Sequence, residues 1–197
     1  VNVNGTLSLL QMMKLHNVKK MLFASSSSVY GNNEKLPFSE SDPVDNPISP
    51  YASTKKSGEL LCYVYSHLFG FDITCLRFFT VYGPRQRPDL AIHKFTRLIN
   101  EGKPVPFYGD GTTARDYTYI SDIVDGIDRA LNNLNGYRIY NLGNSVTVGL
   151  QELVRHIENC LGKNAILQRL PLQSGDVRIT YADISKAKSE IGYNPSY

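Results

Sequence analysis

The 197-residue chain has no tryptophan and only three cysteines. Cys62, Cys75 and Cys160 are odd in number, far apart and set among apolar neighbours. That pattern excludes a disulfide framework or a cysteine metal site, and it predicts three buried free thiols in a reducing compartment. No apolar run approaches the roughly 18 residues of a membrane span, and no signal peptide opens the chain. Net charge is small: 21 basic residues against 18 acidic give +3, and the basic residues are scattered. Such a balance offers no footing for nucleic acid or a membrane surface. The expectation is a soluble, cytoplasmic protein with neither as partner. An initiator methionine is also absent. The chain begins VNVNGTLSLL, already the entry to a helix, so its start is expected upstream. What is present is a 42% hydrophobic composition. That is enough for a real core, which excludes disorder, in one domain or one and a half.

Apolar residues at Leu7, Leu9, Leu10, Met13 and Leu15 predict a helix over about 3–16. KKMLFAS (19–25) is a short apolar run closed by small polar residues, the pattern of a buried parallel strand. Residues 32–50 are rich in Pro, Asn, Asp and Ser and predict a loop. A second helix is predicted over 51–69, stopped by Gly70, and FDITCLRFF (71–79) reads as a second buried strand. This alternation is that of a parallel α/β sheet. After YGPRQRPD the texture changes to helices near 89–101 and 149–161 between short strand-like segments, a smaller α+β region.

Tyr51 and Lys55 open the second helix four residues apart, so both lie on one face. A lysine ammonium beside a phenol favours the phenolate, which would make the tyrosine a general base. Such a pair also occurs by chance on many helices. FASSSSVYG (23–31) adds weight, because it ends a strand where open α/β sheets bind ligands; by itself it would read as a polar turn.

Serines closing a strand, Tyr51 25 residues beyond Ser26, and Lys55 four further on resemble the short-chain dehydrogenase/reductase superfamily. NVNGT (2–6), SSSSVYG (25–31), SPYASTK (49–55), LRFFTVYGPRQRPD (76–89), GDGTTARDYTYISD (109–122) and GDVRITYADISKA (175–187) occur in order. Together they narrow the resemblance to the extended branch, the NAD-dependent nucleotide-sugar epimerases and dehydratases, most similar to the uronate 4-epimerases. The resemblance covers essentially the whole chain. It implies a Rossmann-type doubly wound parallel sheet, of which this chain carries the C-terminal part, with a smaller α+β substrate-binding region. On that basis residues 1–86 belong to the NAD-binding domain and carry the catalytic Ser, Tyr and Lys. Residues 87–197 mainly bind the nucleotide sugar, with some segments returning to the sheet.

The resemblance also implies roles. Ser26, Tyr51 and Lys55 are the catalytic residues: Tyr51 takes the O4 proton, Ser26 hydrogen-bonds O4, and Lys55 assists Tyr51 and binds the nicotinamide ribose. Asn2, Ser25 and Phe78 join Tyr51 and Lys55 around NAD, although Asn2 equally fits a helix N-cap. Dehydratases of the family carry an Asp–Glu pair where this chain has Ser27 and Ser28, and the uronate decarboxylases carry a Glu at the second position. Neither serine is a general acid at neutral pH, so the run argues for oxidation and re-reduction at C4, which is epimerisation through a 4-keto sugar. Ser27 and Ser28, with Thr80 and Arg87, are expected near a C5 carboxylate, which the planar fork of Arg suits. Arg115 is expected at the diphosphate, Gln173 and Asp176 at phosphate and ribose, and Val105, Phe107 and Tyr108 around the uracil, with core packing the competing reading for the aromatics.

No glycine-rich dinucleotide fingerprint is present, and none of the acidic residue that follows the second strand. The chain is therefore expected to be the C-terminal two-thirds of an epimerase, inactive alone, with one sheet edge bare. Helices 3–16 and 51–69 are apolar over more than one face, and the family pairs them in a homodimer. The substrate expected is UDP-glucuronate. UDP-glucose or UDP-N-acetylglucosamine epimerisation, and a non-catalytic nucleotide-binding protein on the same fold, are the alternatives.

Overall fold

A computed structural model describes residues 1–172 and 177–197. Helix α1 (Asn2–Leu15) leads into strand β1 (Lys20–Ser26), which is closed by a single 3-10 turn, Ser27–Tyr30. Ser26 caps that turn, its hydroxyl accepting the Ser28 N–H. After the loop comes helix α2 (Pro50–Phe69). Its start is written locally: the Ser49 hydroxyl accepts the Ala52 N–H at 3.1 Å, and Pro50 fills the first turn, where no N–H is needed. Gly70 ends it in the left-handed conformation, with φ 64°.

Strand β2 (Asp72–Phe78) is buried from Ile73 to Arg77, as a strand covered on both faces must be. It lies between β1 and a third strand that arrives much later in the chain, Tyr137–Leu142; all three run parallel. Their register is aligned: Ser26 pairs with Phe78, and Phe78 with Leu142. Three carboxyl ends therefore finish at one level. On one face α1 and α2 bury Leu10, Met13, Phe23, Cys62, Phe71, Ile73 and Cys75. Each fully buried Leu or Ile there contributes about 1.5–3 kcal/mol. Gly58 fixes the approach of α2, since a Cβ at that position would sit 2.2 Å from the Phe23 ring.

The rest of the chain follows β2 with β3 (Thr80–Tyr82), α3 (Ala91–Asn100), β4 (Val105–Tyr108), β5 (Ala114–Tyr119) and α4 (Ile120–Asn132). The third strand of the main sheet is then β6 (Tyr137–Leu142), followed by β7 (Thr147–Gly149), α5 (Leu150–Leu161), β8 (Leu167–Leu170) and α6 (Ser185–Ile191). Helices α4 and α6 cover the second face of the main sheet around Leu76, Ile123, Ala130, Tyr140 and Leu142. A smaller unit has its own core, in which Phe95 and Ile99 of α3 meet Val105, Phe107 and Leu153, Val154, Ile157 of α5.

The element bounds fall within a residue or two of the sequence expectation, with one correction among the cysteines. Cys62 and Cys75 are buried as expected, but Cys160 is exposed. It lies in the last turn of α5, where Leu161 packs on the small core instead. Among the described residues β1 pairs with β2 alone, so its outer edge is unpaired. Leu9, Met12 and Leu15 of α1 and Leu60, Tyr63, Val64 and Leu68 of α2 are exposed. No helix among the described residues is long and apolar enough to cross a membrane.

Candidate active site

The carboxyl end of β1 and the first two turns of α2 bring the chemistry together. Tyr51 is 51% exposed, so its phenol is reachable from solvent. Lys55 Nζ lies 5.7 Å from the centre of the Tyr51 ring and 5.6 Å from that of Phe23, and donates to the Ala24 carbonyl at 2.9 Å. A lysine ammonium carries three N–H donors, and that bond ties one of them to the strand end. The 3-10 turn packs against α2. Within the serine run, Ser28 donates to Ser26 Oγ twice, from its N–H at 3.2 Å and its hydroxyl at 2.9 Å. Both acceptor positions of Ser26 are thereby taken, and its own proton is directed elsewhere. Ser26, Ser27 and Ser28 are half-buried.

Ser25 is buried, and its hydroxyl donates to Glu59 Oε1 at 2.6 Å. A cofactor contact at Ser25 would therefore fall to its backbone. Phe78, half-buried, stands beside Ser26 in register. Asn2 is not the N-cap, which is Val1; its amide donates to Thr54 Oγ1 at 3.0 Å and so joins α1 to the same stretch of α2.

The residues expected at the sugar and nucleotide separate into two places. Thr80 is half-buried on β3, and exposed Arg87 forms an ion pair with Asp89 at 3.0 Å. Tyr108 and Arg115 line a cleft of about 280 Å³ with Asp89, Lys94 and Pro106. Arg115 Nη1 donates to the carbonyls of Ala114 at 2.9 Å and Arg178 at 3.3 Å, which orients the guanidinium across the strands. Val105 and Phe107 are corrections to the expected uracil slot: both side chains are buried in the small core. Strand β4 alternates, so Pro106 and Tyr108 face the cleft while Val105 and Phe107 face inward. Gln173 and Asp176 lie outside the described residues.

Beneath the serines sits a buried network that sequence reasoning missed. Glu59 and Arg77 are each 1% exposed. Arg77 grips Glu59 with two bonds, Nε to Oε1 at 2.9 Å and Nη2 to Oε2 at 2.8 Å. Its Nη1 donates to the Tyr30 hydroxyl at 3.0 Å, which in turn donates to Asn141 Oδ1 at 2.7 Å. Burial pushes the Tyr30 hydroxyl well above its ordinary value, against the pull of Arg77, so it is neutral. Burial alone would lower Arg77, but Glu59 and Tyr30 raise it, so it stays charged. Two signals were legible: a charged residue inside the apolar strand ITCLRFF, and a glutamate one turn beyond Lys55.

A family model described as NAD dependent epimerase/dehydratase family matches residues 1–143, and the chain belongs to that family. Over 194 residues it is 51% identical to an uncharacterized protein of Methanocaldococcus jannaschii, covering 98% of this chain and 60% of that protein. It is 47% identical over 195 residues to the UDP-glucuronate 4-epimerase of Thermodesulfobacterium geofontis, covering 98% and 60%. The crystal structure of UDP-glucuronic acid 4-epimerase from Bacillus cereus in complex with UDP-glucuronic acid and NAD superposes with a TM-score of 0.94 at 40% identity, covering 100% of this chain and 62% of that one. The main sheet is thus the Rossmann-type α/β architecture of these enzymes. The chain spans about three-fifths of the length of these relatives.

Proposed function

We propose that the protein is an NAD-dependent UDP-sugar 4-epimerase that converts UDP-glucuronate to UDP-galacturonate, and that this chain carries its catalytic and sugar-reading side chains. The observation behind this reading is the strand end itself: an exposed Tyr51, Lys55 tied to Ala24 O, and a run of hydroxyls with no acid among them. Residues 1–86 form the cofactor side and 87–197 mainly the nucleotide-sugar side, with β6 returning to the main sheet.

The residues present fit the nicotinamide end of NAD: a reachable phenol and an oriented ammonium stand where parallel strands finish together, the place such sheets bind ligands. Asn2, Phe78, Tyr51 and Lys55 would hold it, with the Ser25 backbone. When bound, NAD supplies the acceptor and then the donor of the C4 hydride. Tyr51 accepts the O4 proton and returns it after the sugar has turned. Lys55, held beside Tyr51 by its bond to the Ala24 carbonyl, would bind the nicotinamide ribose. Ser26, with both acceptor positions occupied by Ser28, acts toward O4 as a donor. Arg87 and Thr80 would hold the C5 carboxylate, with exchange of Asp89 for the substrate carboxylate on Arg87. Arg115 and Tyr108 would take the diphosphate and uracil end of the cleft. The exposed apolar residues of α1 and α2 suit a homodimer through those helices.

The test is to incubate the full-length protein with NAD and UDP-glucuronate and separate the products by anion exchange. UDP-galacturonate in near-equal ratio supports the reading. Tyr51→Phe should lower kcat by about 10²–10⁴-fold while UDP-sugar binding persists. Conversion of UDP-glucose or UDP-N-acetylglucosamine with UDP-glucuronate untouched would overturn the choice of sugar. Release of CO2 with a UDP-pentose would overturn the argument from the serines. Binding of the nucleotide with no turnover at all would make it a non-catalytic relative.

A further inference from the structure

The Glu59–Arg77 pair occupies a specific place relative to the reacting groups. Glu59 lies one turn beyond Lys55 and two beyond Tyr51 on α2, so the three share one helix face. Its carboxylate receives the hydroxyl of Ser25, the residue immediately before the Ser26–Ser28 run. Arg77 donates to the hydroxyl of Tyr30, which closes the same run. The two ends of the segment Ser25–Tyr30 therefore rest on one buried ion pair, and the helix bearing Tyr51 and Lys55 supplies half of that pair. Ser25 and Arg77 are also direct neighbours in the strand register. Gly58, adjacent to Glu59, lets α2 approach Phe23 closely enough for the contact to form.

We infer that Glu59 and Arg77 are positioning residues that set the separation between the serine run and the Tyr51–Lys55 face, and so govern the rate of the chemical step without touching substrate. The inference rests on the epimerase reading above. A planar guanidinium forked on a carboxylate fixes both distance and angle, which a pair of apolar side chains cannot do. Arg87 and Arg115, the expected holds on the carboxylate and the diphosphate, sit on other elements, so most of the substrate grip should be spared.

The variant of choice is Glu59→Leu/Arg77→Met in the full-length protein, because exchanging a whole buried ion pair for apolar side chains usually leaves the fold intact. Four quantities are read beside wild type: kcat and KM for UDP-glucuronate, the melting temperature, and hydrogen exchange of residues 50–60. A folded variant is expected to lose about 100-fold in kcat with KM held within about threefold. Exchange over 50–60 should rise about tenfold while the rest of the chain keeps its protection. Arg77→Lys, which keeps the charge but not the fork, should reproduce the loss of kcat in part. A stable double variant with wild-type kcat and unchanged exchange overturns the inference and leaves the epimerase reading standing. A wild type without epimerase activity overturns that reading, while local exchange over 50–60 in the variant would still establish the positioning of α2.

Discussion

Glu59 and Asp116 are both buried carboxylates, one on helix α2 against the main sheet and one on strand β5, and they are satisfied in different ways. Glu59 meets a side chain of opposite charge and one hydroxyl. Asp116, on β5, meets three main-chain donors and one hydroxyl. Its Oδ1 accepts the Asn144 N–H at 2.7 Å and the Thr118 hydroxyl at 3.3 Å; its Oδ2 accepts the N–H groups of Ser145 at 3.0 Å and Ala182 at 3.1 Å. Burial pushes the Asp116 carboxyl above its ordinary value, and those four donors pull it back in part. Gly143 is required beside it, because a Cβ there would lie 3.0 Å from Asp116 Oδ2 and 2.5 Å from the Ala182 methyl. A side-chain partner can be removed by a second substitution, whereas a main-chain partner cannot. The first arrangement is therefore correctable and the second is not.

The largest effect is expected from Glu59→Ala, which strands the Arg77 charge and should destabilise by about 3–5 kcal/mol in denaturant titration. Adding Arg77→Met should recover most of that loss; failure to recover would show that the Glu59 site is no more correctable than the Asp116 site. Asp116→Ala comes next, at about 2–4 kcal/mol, since it leaves the buried N–H of residue 182 and the partly buried N–H groups of residues 144 and 145 without this acceptor. No second side-chain change should restore it.

The smallest effect belongs to Asp42, which combines both modes on the long loop. It pairs with Lys35 and accepts the Ser39 N–H at 2.8 Å. Burial raises its carboxyl, but Lys35 and the Ser39 N–H outweigh burial and leave it below the ordinary 3.8. A carboxyl lowered in the folded state contributes stability above about pH 4 that is lost as pH falls through its folded value. Asp42→Asn should cost about 1 kcal/mol at neutral pH and flatten the acid limb of the stability curve. An unchanged acid limb would show that Asp42 makes no such contribution.

The main sheet was legible because its signals are local. Ser49, Pro50 and Gly70 punctuate α2, and the mostly apolar run of β2 declares burial on both faces. Tyr51 and Lys55 were picked out by their spacing together with the serine run at the strand end, since such a pair also occurs by chance on many helices. The buried pair was not, because its meaning depends on register: Arg77 matters through standing beside Ser25, and nothing within either segment states that alignment. Val105 and Phe107 failed for a related reason. A four-residue strand has two possible phases, and the sequence of β4 does not say which face is the core. Cys160 continues the spacing of Leu153 and Ile157, but its place in the last turn puts it beyond the cover of α3.

The anchors of the serine run lie at Ser25 and Tyr30, outside the three hydroxyls they frame. Positions 27 and 28 are thus carried on a fixed mount, with the Ser28 hydroxyl turned back onto Ser26. Under the epimerase reading, the groups presented to the sugar can be rewritten there by small steps, with the helix, the strand and the ion pair beneath them left as they are.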